Sequence, residues 1–395
     1  MSKKIFKILL GFVFTLLPLY FLRFSVGGIP TTALELLIYA AFILFLISAS
    51  YREIKNSTAV YLGGLFVISG LIGALIDPNL SSGLGLWKAY FFDGFLVFLM
   101  ALSVKKKDVE DYLHFIIASG LIAVLIAYTL YSYGIKSADN RLLDFDRLSP
   151  NYLAMFLSPI LVISISQMIK LFKKDQMFWV YLVASINFAA ALYLTGSRGG
   201  YIAAIAGLIV VLFSHLMHGK FAKTAKILLV GSLVLVLGTT LYVFQPDWSS
   251  HSRKATSSNV RFYIWSTSLE MIKKEPIFGI GLSNYQNYFG NLTKDRVNYP
   301  EFITPQALTA HNLFLQLYLT TGLIGLVTFL SLVIFSKFWK FYTPVLSASV
   351  ITILILGLFD TPFYRNDLAI LVWIILALLY SFVPVKSEIT KAENE

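Results

Sequence analysis

Apolar residues along this chain come in runs of roughly spanning length, and polar residues are confined to the short stretches between them. A helix needs about twenty mostly apolar residues to cross a ~30 Å hydrocarbon layer. On that rule the candidate spans are Ile5–Leu22, Ala33–Ser50, Thr58–Ile76, Trp87–Val104, Tyr112–Tyr133 and Asn151–Ile169. The second half gives Met177–Thr195, Gly199–Met217, Ile227–Phe244, Asn312–Phe335, Thr343–Phe359 and Leu368–Val385. The pattern predicts an all-α integral membrane protein of about twelve transmembrane helices. Residues 1–395 form a single polytopic domain on this reading.

One segment breaks the rhythm. Gln245–Ala310 is too polar to span and too long for a plain connection, so it is expected to be an external loop between the ninth and tenth spans. Within it, Phe262, Trp265, Leu269 and Ile272 recur at three- and four-residue spacing, which predicts an amphipathic helix over Val260–Lys274 with Asn259 as its cap. Pro276 ends that helix and Gly279-Ile280-Gly281 supplies a turn. The loop is expected to fold over the outer mouth of the bundle.

Composition agrees with lipid as the solvent. The chain is 57% hydrophobic and 13% charged, and no soluble domain of 395 residues hides that much apolar side chain beneath a polar skin. A net charge of +11 raises the question of nucleic acid, and the placement of the charge answers it. Lys105-Lys106-Lys107, and Lys170 with Lys173-Lys174, sit at the ends of apolar runs, where basic clusters mark cytoplasmic loops and meet anionic lipid. Membrane lipids are therefore expected partners and nucleic acid is not. With the N-terminus placed in the cytoplasm, lysine and arginine concentrate on that side, so both termini are expected there. Lys3, Lys4 and Lys7 before Ile8–Leu22 have the outline of a signal sequence, but Arg23 and Phe24 stand where a cleavage site is needed, so this is read as an uncleaved first span. With no cysteine, there is no disulfide, thiolate nucleophile or zinc–thiolate site.

Under this topology the chemistry-bearing residues gather at the outer face. They are Arg141 and Arg147 before Pro150-Asn151, the turn Gly196-Ser197-Arg198-Gly199-Gly200, Arg261, His311-Asn312, and Asp360 with Arg365. Any single arginine at a membrane edge can simply snorkel to headgroups. Lys88 and Asp93 are candidates for a buried structural pair, Asp144 and Asp146 are expected to pair with the arginines that flank them, and His114, His215 and His218 read as interfacial. The glycine-flanked turn is harder to set aside. Glycines admit close backbone approach, a helix starting at Gly199 points N–H groups outward, and a helix N-terminus beside a guanidinium is an anion site. With Arg261 as a second arm the expected ligand is a phosphate or diphosphate, and His311 supplies a general base.

Taken in order, Leu194-Thr-Gly-Ser-Arg-Gly-Gly200, Asn259-Val-Arg-Phe-Tyr-Ile-Trp265, Glu275-Pro-Ile-Phe-Gly-Ile-Gly281, His311-Asn-Leu-Phe-Leu-Gln316 and Gly322-Leu-Ile-Gly325 resemble the O-antigen ligase and polymerase superfamily. Arg141 or Arg147 matches that family's upstream arginine, with Arg141 better spaced. The resemblance implies a multi-span, GT-C-like glycosyltransferase bundle in the bacterial inner membrane, working on the periplasmic face without metal or cofactor. It implies a glycan donor carried on undecaprenyl diphosphate and an acceptor that is lipid A–core or another glycan. His311 would be catalytic, and Arg198 and Arg261, with Arg141 or Arg147, would hold the diphosphate. Asn312, Ser197, Gly199 and Arg365 would support them. The favoured reading is a ligase with inversion at the anomeric carbon. A repeat-unit polymerase uses the same motifs. A lipid-linked polysaccharide flippase is the alternative from another class, but it requires charged groups lining a mid-membrane path.

Overall fold

The computed structural model of the chain describes residues 2–172, 175–216, 231–232, 257–295 and 307–383. Nearly all of the ninth candidate span lies outside the described residues, as do Lys173, Lys174, His218, Asp247, His251 and Glu301. Among the described residues six helices are long and apolar enough to cross a membrane: Ser57–Leu75, Leu80–Leu102, Lys106–Ser132, Pro150–Leu171, Met177–Thr195 and Leu313–Lys340. Shorter apolar helices occupy Ala33–Ile47, Arg198–Ser214, Pro344–Gly357 and Asn366–Tyr380. This is a multi-pass helical membrane protein.

The helices are named in chain order. They are α1 (Ser2–Thr15), α2 (Ala33–Ile47), α3 (Ser57–Leu75), α4 (Leu80–Trp87), α5 (Asp93–Leu102), α6 (Val109–Ser132), α7 (Pro150–Leu171), α8 (Met177–Thr195) and α9 (Arg198–Leu216). After the loop come α10 (Ser257–Lys274), α11 (Tyr285–Thr293), α12 (Leu313–Phe335), α13 (Pro344–Gly357) and α14 (Asn366–Tyr380). α14 is the axis of the bundle: every residue from Asp367 to Tyr380 is buried. A helix apolar all round belongs inside, and around it Phe66, Phe91, Phe98, Phe329 and Phe363 pack on or beside Trp373. Outward-facing Ile43, Tyr61, Leu125 and Ile186 are exposed, as lipid contact requires.

Charged contacts separate into two ends. At one end Lys3 and Lys105 pair with Glu53, Lys7 with Asp108, and Lys170 with Glu110. At the other lie Arg23–Asp146, Arg365–Asp144 and His311–Asp360. Arg198, Arg261, His311 and Arg365 all lie at the second end.

Several expectations need correction. The chain is not wholly helical: β1 (Arg23–Val26) pairs antiparallel with β2 (Ile29–Thr32) in a hairpin whose turn, Gly27-Gly28, has positive φ at both residues. An apolar-run reading misses it because the strands are short and β1 is exposed throughout. The fourth span carries a π-helical turn at Lys88–Phe92, and the expected Lys88–Asp93 pair does not form. Lys88 pairs with Glu35 at 2.5 Å, and Asp93 accepts a hydrogen bond from the Tyr39 hydroxyl at 2.8 Å. The seventh and eighth spans are separate helices, α8 and α9. In the external segment α10 starts at Ser257, so Asn259 lies inside the helix and does not cap it. Its buried face is Ile264, Thr267, Ser268 and Met271, while Leu269 is exposed; the apolar stripe is rotated by about one residue from the predicted one. With Tyr285 and Phe289 of α11 and Leu319 of α12, Ile264 and Met271 form a second, smaller core over the outer half of α12.

That small core is tied down by an exchange of hydrogen bonds. Gly322 has φ +70° and interrupts α12, and the Leu323 N–H donates to the Ile277 carbonyl at 3.0 Å. The Leu319 carbonyl, which a continuous helix would pair with Leu323, accepts instead from Ile280 N–H at 2.6 Å. A broken helix at membrane depth is tolerated where protein satisfies the freed groups, and the loop after Pro276 does this. The same loop is held on its far side, where Asp77 accepts from Ser283 N–H at 2.5 Å and from its hydroxyl at 2.9 Å.

Candidate active site

The turn between α8 and α9 sets the first cation. Gly196 ends α8 in the left-handed conformation, φ +62°, and a β-carbon there would sit 2.7 Å from Arg141 Cδ. Arg141 thus lies directly against the turn, its strand anchored by Leu142 N–H donating to the Leu194 carbonyl at 2.9 Å. Arg141 Nε is 2.6 Å from Asp139 Oδ2, an ion pair with poor hydrogen-bond alignment that leaves the guanidinium half-exposed. Arg147 is exposed, with φ +62°, away from these contacts. Ser197 caps α9 through a 3.4 Å hydrogen bond from Gly200 N–H. The helix therefore begins at Arg198, one residue earlier than expected. Gly199 packs against Phe359, with 3.5 Å between a built β-carbon and Phe359 Cβ, which brings exposed Arg198 beside the turn that holds Asp360.

Asn312 sets the base. Its side chain caps α12, accepting from Phe314 N–H at 3.0 Å and Leu315 N–H at 3.1 Å, and its amide donates to the Leu358 carbonyl at 3.1 Å. One residue thus fixes the start of α12 and the end of α13. Immediately before it, His311 has φ +45°, a conformation that costs a non-glycine residue about 1–3 kcal/mol. The strain is held by the Ala310 N–H to Gln316 Oε1 bond at 2.7 Å and by the Trp265 indole donating to the His311 carbonyl at 3.3 Å. The result is an imidazole whose Nδ1 lies 3.2 Å from Asp360 Oδ1 and which stays one-third exposed.

Asp360 joins the two halves. Its other oxygen lies 3.8 Å from Arg261 Nη2 on α10. Burial pushes the Asp360 carboxyl up, but the His311 hydrogen bond and charge, with Arg261, outweigh it and hold the group below the ordinary value. Arg261 is lowered, first by burial and also by the like charge of Arg198, against the pull of Asp360. Two guanidiniums close enough to disfavour one another, exposed Arg198 and largely buried Arg261, beside a partly exposed histidine, form a place for an anion.

Residues 182–330, which contain Arg198, Arg261 and His311, match the family model described as O-Antigen ligase. A protein of Salmonella typhimurium named O-antigen ligase is similar over 312 residues at 25% identity, covering 72% of this chain and 73% of that protein. Both similarities support the O-antigen ligase superfamily as the family of this chain. An uncharacterized protein of Haemophilus influenzae is also similar, 24% identical over 198 residues, covering 45% of this chain and 47% of that protein.

The structure gathers Arg198, Arg261, His311 and Arg141 at one end, and uses Ser197, Gly199 and Asn312 to position them. Arg365 is elsewhere in function. Its guanidinium is taken by Asp367 through two 2.7 Å bonds and by Asp144 at 2.5 Å, and packs on the rings of Tyr20, Phe145 and Tyr152. It locks the start of α14 to the segment before α7. Asp144 and Asp146 accordingly do not pair with Arg141 and Arg147: Asp144 takes Arg365, and Asp146 takes Arg23 at 2.5 Å and the Tyr20 hydroxyl at 2.9 Å. Asp360 was legible only as a charged residue in the last outer turn. Its partnership with His311, 49 residues away, has no local signal.

Proposed function

We propose that this protein is an O-antigen ligase-like glycosyltransferase that moves a glycan from undecaprenyl diphosphate to lipid A–core on the periplasmic face of the bacterial inner membrane. The observation that carries the reading is the convergence of His311, Asp360, Arg261 and Arg198 at one end of a lipid-embedded bundle. The lipid tail of such a donor explains why the catalyst is a membrane bundle: the substrate stays in the bilayer while its diphosphate and sugars reach the surface.

In the proposed step the acceptor hydroxyl oxygen bonds to the anomeric carbon as the bond from that carbon to the diphosphate oxygen breaks. Asp360, ionised, accepts the Nδ1–H of His311 and leaves Nε2 to take the acceptor proton. Arg198 and Arg261 hold the diphosphate and stabilise the charge it gains on leaving, with Arg141 beside the same turn. Attack opposite the leaving group inverts the anomeric centre. Fixed guanidiniums take the place of a metal in this scheme. The Asp–His–Arg set at one face, with Lys88 paired to Glu35 and Asp93 hydrogen-bonded by Tyr39 within the bundle, favours transfer chemistry over a flippase path.

The test is deletion of the gene in its native host, with surface glycolipids separated on a gel and complementation by wild type and H311A. Core-lipid without attached glycan, alongside polymer accumulated on undecaprenyl diphosphate, is the expected phenotype, uncorrected by H311A. Core-lipid bearing a single repeat unit would make the protein a polymerase, and full rescue by H311A would sink the catalytic assignment.

A further inference from the structure

At the end of the bundle opposite His311, a cavity of about 370 Å³ opens between the start of α1, the turn Ser50–Glu53 and the connection leading into α6. Four lysines line it, Lys3, Lys4, Lys7 and Lys105, against the two carboxylates Glu53 and Asp108, a surplus of two positive charges. Lys3 and Lys105 share Glu53 at 3.1 and 3.4 Å, and Lys7 pairs with Asp108 at 2.7 Å. Lys4 has no carboxylate partner among the described residues. The lysines thus stand around the rim of one hollow.

The floor of the hollow is apolar, made by Phe6, Val104 and Tyr112. A free phosphate would need the lysines alone. A lysine ring over an apolar floor at the membrane edge suits a phosphate already attached to a lipid. We propose that this cavity is a binding site for the phosphate headgroup of an anionic membrane lipid. It stands at the other end of the bundle from the proposed diphosphate site, and its test reads lipid binding rather than transfer.

The experiment is native mass spectrometry and thermal unfolding of the full purified chain in detergent. The probes are cardiolipin, phosphatidylglycerol, phosphatidylcholine, inorganic phosphate and pyrophosphate, each titrated separately. Cardiolipin or phosphatidylglycerol is expected to bind and raise the melting temperature, and phosphatidylcholine is not. At about 1 kcal/mol per lysine, K3Q/K7Q/K105Q weakens that binding about a hundredfold. The charge-matched K107Q/K337Q/K340Q, altered at the same end but outside the cavity, retains wild-type affinity. K4E breaks no ion pair, so it carries the test if the triple variant misfolds, and it too loses the lipid. Equal loss in both triple variants, or no loss in K4E, overturns the proposal by reducing it to surface attraction. Binding of phosphate or pyrophosphate as tight as that of the lipids would keep the phosphate chemistry but overturn the lipid as its source.

Discussion

His311 holds a left-handed backbone and a short contact to Asp360 at once, and both serve to aim one nitrogen at the surface. D360N removes the charge that orients the imidazole and balances Arg261, so transfer is expected to fall by about 10²–10⁴-fold with the protein still inserted. Unchanged turnover would show that Asp360 is structural only. The same carboxyl gives a pH dependence of stability. Its folded value lies below the ordinary 3.8, so its contribution is present above that value and is lost as pH falls through the depressed one. The melting-temperature gap between wild type and D360N is therefore expected to be level from neutral to mildly acid pH and to close only below about pH 3.8. For the arginines, R198A and R261A are each expected to weaken donor binding about tenfold to a hundredfold while leaving acceptor binding near wild type, because each loses a charged hydrogen bond of about 1.5–3 kcal/mol. Wild-type transfer should survive EDTA. Activity lost to the chelator and restored only by a divalent cation would replace the arginines with a metal as the charge-stabilising element.

At the scale of elements, the interruption of α12 is the decisive joint. The Leu319 carbonyl and Leu323 N–H exchange their mutual bond for partners in the loop after Pro276, so that loop is a part of α12 supplied from elsewhere in the chain. Gly322 is required twice, for its φ of +70° and because a β-carbon would collide with the Ile277 carbonyl. In a regular helix Gly to Ala stabilises by about 1 kcal/mol. Here G322A is expected to destabilise by about 1–3 kcal/mol or more, read as a lowered melting temperature in detergent. The sign of that shift distinguishes the joint from an ordinary helical glycine. Because α10 carries Arg261 and packs on the loop and α12, loosening the joint is also expected to displace Arg261 from Asp360.

For the whole molecule the prediction is topological. The candidate site and the lysine cavity lie at opposite ends, so they should face opposite sides of the membrane. The chain has no cysteine, which permits single-cysteine labelling on an otherwise silent background. A membrane-impermeant maleimide added to sealed, right-side-out membranes is expected to modify N140C and not K107C, with the pattern reversed in inverted vesicles. The opposite pattern would put the site on the cytoplasmic side and remove a periplasmic reaction.

The sequence by itself determined the class of molecule, the solvent it folds in and the end at which its chemistry gathers. Those properties follow from local rules: run length against bilayer thickness, charge at run ends, and the parity of crossings. It also marked Arg198, Arg261 and His311, because they stand in an ordered set of motifs that begins at a glycine-flanked arginine. Only the tertiary structure decided the partners. Asp360 belongs to His311 and Arg261, while Arg365, five residues on, is spent inside between Asp144 and Asp367. Lys88 pairs with Glu35 rather than Asp93, and Arg141 rather than Arg147 reaches the turn at Gly196. None of these choices is local. Each is set by which helix ends meet, and a charge taken out of water accepts whatever opposite charge the packing brings within reach.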